Sequence, residues 1–134
     1  MATGLYDTGR NAFLLGDIDW VADTIKIVLV DAADYTVDLA AHDFLDDVPA
    51  GARIATATLA NKTAVAGVAD ADDVTFVNVS GDQSEALILY KDSGAEATSQ
   101  LIAYIDSATG LPVLPNNGSI TVAWSAGSAK IFKL

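Results

Sequence analysis

The side chains in this sequence with the means to do chemistry are carboxylates, one imidazole and a set of aromatic rings. His42 stands beside Asp43, and a carboxylate next to an imidazole can orient it for proton transfer. A hydrolase would add a serine on a nucleophile elbow and an oxyanion hole, and no such motif is present. His42 is therefore expected as a surface or capping residue. Asp70, Asp72 and Asp73, and Asp43 with Asp46 and Asp47, carry the oxygen ligands that calcium takes. The first group has only a superficial likeness to an EF-hand loop, lacking its central glycine and terminal glutamate. Both groups read as solvated turn carboxylates. Asp17 and Asp19 bracket Ile18 on one side of an extended segment, and paired carboxylates are the tools of glycoside hydrolysis. Nothing in the sequence builds a sugar cleft around them. There is no P-loop and no dinucleotide-binding glycine pattern, and with no cysteine there is neither a thiolate metal site nor a thiol nucleophile. No catalytic residue, metal ligand or cofactor is expected. Trp20, Trp124, Tyr6, Tyr35, Tyr90 and Tyr104 lie in or beside strand-like segments, where rings pack into a core with their polar tips satisfied. The alternative uses are an interface anchor or a sugar-stacking platform.

The elements that must hold these residues centre on two apolar runs, Glu85 to Lys91 and Gln100 to Asp106, joined by the small polar stretch Asp92 to Ser99. Both runs are apolar at nearly every position, with charge only at their ends. A half-exposed strand would alternate, so these are expected as neighbouring antiparallel strands buried on both faces. Leu5 to Leu15 spaces Leu5, Tyr6, Gly9, Ala12 and Phe13 at three- and four-residue steps, which predicts a short amphipathic helix with Asp7 or Thr8 as N-cap and Gly16 as stop. Thr24 to Val30 is a β-branched strand. One or two helical turns are expected between Leu39 and Val48, ended by Pro49 and Gly51. Ile54 to Ala60 alternates as a strand, with Ala55, Ala57 and Leu59 on one face and Ile54, Thr56, Thr58 and Ala60 on the other. Further strands are expected at Thr63 to Val68, Val74 to Val79, Ile120 to Trp124 and Lys130 to Leu134. Turns fall at Asn61-Lys62, Ser107 to Gly110 and Asn116-Asn117-Gly118, and the two prolines of Leu111 to Pro115 make that piece an edge or irregular segment.

Seven to nine short strands without a βαβ rhythm predict an all-β domain, a β-sandwich or jelly-roll-like fold, with one short N-terminal helix and one short helical turn. The organisation expected is one domain, 1–134, with an N-terminal helical arm at 1–20 and the sandwich at 24–134. Its 134 residues suffice for a core without staples. Eighteen acidic residues against seven basic ones give a charge of −11, which disfavours nucleic acid as a direct partner because phosphate binding depends on Lys and Arg. No apolar run reaches the roughly 18 residues of a membrane span. The opening Met-Ala-Thr-Gly-Leu-Tyr-Asp has neither the basic region nor the apolar core of a secretory peptide, so no membrane partner and synthesis in a cytosol are expected.

Tyr6-Asp7-Thr8-Gly9-Arg10, Phe13 to Trp20 and Thr24 to Asp31 resemble the opening of a family of small structural proteins of tailed bacteriophages and prophages. Asp70 to Phe76, Gly81 to Leu87 and Leu101 to Asp106 fit the same family, so the resemblance covers nearly the whole chain. It implies a non-enzymatic virion protein and brings no catalytic residues with it. Small acidic β domains of such particles commonly bind the outside of the head as decoration, or cement, proteins, often as trimers. The expected partners are then the major capsid protein and further copies of the chain, and the expected site is the head surface of a virion made in a host cytoplasm. A tail, baseplate or fibre component is the alternative within the family, and a carbohydrate-binding module or hydrolase the alternative outside it. Leu5, Tyr6, Ala12, Phe13 and Trp20 are the residues expected to contact a neighbour.

Overall fold

The structure, a computed structural model, describes residues 4–106, 111–124 and 130–134. Its centre is an antiparallel five-stranded sheet of β1 (Gly4–Leu5), β2 (Ile25–Val30), β3 (Arg53–Thr58), β7 (Ala86–Lys91) and β8 (Leu101–Ile105), in the order β1-β8-β7-β2-β3. β7 and β8 are the expected pair, and β7 lies between β8 and β2. All five residues of β8 and the first five of β7 are buried, because each face of this sheet has its own cover. A strand covered on both sides has no position where a polar residue meets water.

Ile25, Ile27 and Leu29 of β2 and Leu87 and Leu89 of β7 point to the first face. There they meet residues of two smaller antiparallel sheets, one of β4 (Thr63–Val65), β5 (Val68–Asp70) and β10 (Phe132–Lys133), the other of β6 (Val74–Phe76) and β9 (Ile120–Val122). Val28, Val30, Ile88 and Tyr104 point to the second face, beneath Tyr35, Leu45, Val48 and Ala52. The cover on this second face is not a sheet. It is the connection 31–52, stiffened by 3-10 turns at Leu45–Asp47 and Ala50–Ala52. The chain is thus mostly strand in antiparallel sheets, an all-β, sandwich-like fold with one α-helix among the described residues.

That helix, α1 (Asp7–Leu15), confirms the spacing read from the sequence, with Gly9 and Ala12 buried and Gly16 closing it in the left-handed conformation at φ 80°. Its N-cap is Tyr6 and not Asp7 or Thr8, since the Tyr6 ring is drawn into the second core while the Asp7 N–H is taken by the Leu39 carbonyl. The residues expected as an arm are built into the sheet: Gly4 and Leu5 pair with Tyr104 and Ala103 as an edge strand. α1 then lies directly on β8, and a Cβ on Gly9 would sit 2.6 Å from the Leu101 carbonyl oxygen.

Other boundaries move for identifiable reasons. Ile54 does not join Thr56 and Thr58 on the outer face, because the pairing of β2 with β3 slips between Leu29 and Val30 and the bulge turns Ile54 towards the first core beside Ala55. A matching slip between β7 and β8 places Ile102 and Ala103 together on that same core. Thr63 to Val68 is two strands, since Ala66 and Gly67 both take positive φ, 53° and 78°, and form a two-residue hairpin. The strand expected to reach Val79 stops at Phe76, and Asn78 turns at φ 53°. Pro49 does not end the helical stretch but opens the second 3-10 turn, where its lack of an N–H costs nothing. The turn expected at Ser107 to Gly110 lies outside the described residues.

Candidate functional site

His42 is held in a relay and not in a catalytic dyad. The Asp38 backbone N–H donates to His42 Nδ1 at 3.3 Å, so that nitrogen carries no proton. The Tyr35 hydroxyl, 2.7 Å from the same nitrogen, must then be the donor, and the Tyr6 hydroxyl in turn donates to Tyr35 at 2.9 Å. Every link follows from the first. Burial pushes the Tyr6 phenol far above its ordinary value, and burial likewise pushes Tyr35 up to about 12. The relay joins the N-terminal segment at Tyr6 to the 31–52 cover at Tyr35 and His42, which is a structural use of all three groups. Asp43, beside His42 in the sequence, donates its N–H to Asp47 Oδ2 at 2.8 Å, and that bond holds the Asp47 carboxyl below the usual range.

The remaining carboxylates resolve in the same way. Asp70 Oδ2 pairs with Lys130, Asp72 Oδ2 accepts from Asn61, and Asp73 Oδ1 accepts the Trp124 N–H, so three neighbours in sequence serve three partners. Asp19 Oδ1 accepts the Val21 and Ala22 N–H groups, and Asp23 Oδ2 accepts that of Asp19. That exchange, not a sugar-cleaving pair, is what Asp19 serves. Asp43, Asp46 and Asp47 do converge, and Asp31, Asp34 and Asp82 form a second convergent group that no local spacing could have shown. Asp31 is buried, with Oδ1 on the Ala33 N–H in an Asx turn, so the geometry of both groups is that of turns.

Of the residues expected to contact a neighbour, Leu5, Tyr6, Ala12 and Trp20 are buried in this chain's own cores, and Phe13 is half-buried against Phe132 at a ring distance of 5.9 Å. Trp20 meets Phe132 edge-on at 5.2 Å and donates its indole N–H to the Asp70 carbonyl. All four tyrosines are buried as well, and Trp124 is half-buried with its indole N–H on Asp72.

What the expected residues support is a surface the sequence did not single out. Leu14 and Leu15 are 86% and 68% exposed at the end of α1, and Leu134 is 60% exposed beyond β10. Leu14 and Leu134 line one groove with Leu5, Arg10 and Lys133, and Leu134 also borders a second with Phe13, Trp20, Ala64 and Phe132. Among the described residues, no acidic side chain lines either groove. Arg10 is offset by Asp7 at 3.4 Å, while Lys133 has no ion-pair partner among the described residues. The signal was available in the unused half of the helix pattern: Leu14 and Leu15 lie off the stripe that Gly9, Ala12 and Phe13 define. Comparison of the sequence with protein-family models and with curated proteins returns no match.

Proposed function

We propose that this chain is a structural protein of a bacteriophage virion, acting by association and not by catalysis, and that it decorates the outside of the head shell. The observation that carries the association is the corner of Leu14 and Leu134, with Leu15 exposed next to Leu14 in the sequence. Large apolar side chains grouped on the surface of an otherwise acidic domain mark a place where another protein sits. The virion and the head come from the resemblance, whose matching segments lie in the N-terminal helix, β2, β6 and the central pair. A domain with a sheet covered on both faces and polar groups bonded internally suits a part that is made soluble and waits for a lattice. Binding to the assembled shell and not to its free subunits stabilises the shell by mass action.

Co-sedimentation of the purified chain with expanded heads that lack it is the test. Saturable binding at a fixed ratio to the major capsid subunit is expected. Binding to tails or baseplates with none to heads would move the protein to the alternative location within the same family of roles.

A further inference from the structure

The second cover of the main sheet has a charge pattern of its own. Residues 31–52 contain Asp31, Asp34, Asp38, Asp43, Asp46 and Asp47 and neither lysine nor arginine. None of the six aspartates is in an ion pair among the described residues. Asp34, Asp38 and Asp46 are exposed. This cover packs on the second face through Tyr35, Leu45, Val48 and Ala52. The corner carrying Lys133 belongs to the other side: its neighbours Leu5, Trp20 and Phe132 pack into the first core. One copy therefore presents an apolar, lysine-bearing corner beside the first core and an unpaired acidic cover over the second face, with α1 reaching from the corner to the cover through its Asp7 and Thr8 bonds to Leu39 and His42.

We propose that the corner of one copy docks on the acidic cover of the next, giving a head-to-tail association. The inference rests on the reading of the chain as a protein that works by association, and it names the first partner as a second copy. Two like corners meeting face to face would bring Lys133 against Lys133, whereas corner against cover places that lysine among carboxylates. Contacts of this heterologous kind close into rings when the rotation permits and otherwise extend. The apolar part comes from Leu14 and Leu134, and the register from charge.

Sedimentation velocity of the full chain over a concentration series tests this with four variants. Leu14→Asp, Lys133→Glu and Asp46→Lys change exposed side chains, and retention of the wild-type urea midpoint shows that each still folds. The wild type is expected to associate as concentration rises, and each single variant to lose at least tenfold in association constant. The double variant Lys133→Glu with Asp46→Lys, which exchanges both charges within one chain, is expected to regain most of that loss. A wild type that stays monomeric throughout overturns the proposal, as do single variants that associate like the wild type or a double variant no better than either parent. Saturable head binding by a chain that is monomeric at every concentration would remove this inference and leave the proposed function standing.

Discussion

Gly9→Ala separates two opposed physical effects in α1. In an exposed helix interior, replacing glycine by alanine stabilises by roughly 0.5–1 kcal/mol, because the unfolded chain has less freedom to lose. At Gly9 the added Cβ meets the Leu101 carbonyl oxygen at 2.6 Å and the Ile102 Cα and oxygen at 3.1 Å each. These are backbone atoms of β8, the strand between β1 and β7, so no rotamer change can give way. α1 would have to lift, and its buried Ala12 would lift with it. Overpacking of this kind costs about 1–3 kcal/mol, more than the propensity gain at most of that range. A net loss of roughly 1–2 kcal/mol is expected from urea unfolding, with the slope unchanged. Asn11→Ala, exposed on the same helix, isolates the propensity effect and should be neutral or slightly stabilising. A Gly9→Ala chain more stable than the wild type would refute the close packing of α1 on β8.

The relay and the tyrosines give two further expectations. Tyr35→Phe leaves the buried Tyr6 hydroxyl without its acceptor and should cost about 1–3 kcal/mol, Tyr6→Phe about 1 kcal/mol, and the pair together less than the sum, as a double-mutant cycle in urea will report. Both phenols hold their protons to higher pH in the fold than in the unfolded chain. Their stabilisation is therefore complete below the ordinary value of 10.0 and is lost as pH rises towards and beyond about 12, which a series of urea midpoints across that window measures. The opposite sign holds for Asp23 and Asp92, kept below the ordinary 3.8 mainly by backbone N–H groups of Asp19 and Gly94. Their contribution is complete above that value and is lost progressively below it, as pH falls through the lower folded-state values, which urea midpoints at acid pH will report.

The central pair was legible because two-sided burial leaves an unbroken apolar run, and α1 because its stripe repeats at helical spacing. What escaped depends on distant partners. The Ala66-Gly67 hairpin needs an alanine at positive φ, where glycine or asparagine is the usual residue, and only Gly67 hinted at it. The bulge that turns Ile54 inward is set by register against Val30 and Leu29, not by anything local to β3. The cover 31–52 shows no period because its apolar residues reach the sheet from irregular backbone. For the contact surface, an apolar helix stripe is the same whether it faces a partner or the chain's own sheet, and here the sheet took it. The leucines beside that stripe are what the fold leaves exposed.

The claim that this chain binds and strengthens a head shell is tested most directly by the disruption temperature of heads lacking it, measured as free protein is added. The account predicts no change well below the dissociation constant and then a steady rise with the logarithm of concentration, with about 2.7 kcal/mol per bound site at a hundredfold excess over that constant. A disruption temperature that stays flat through saturating protein would contradict it.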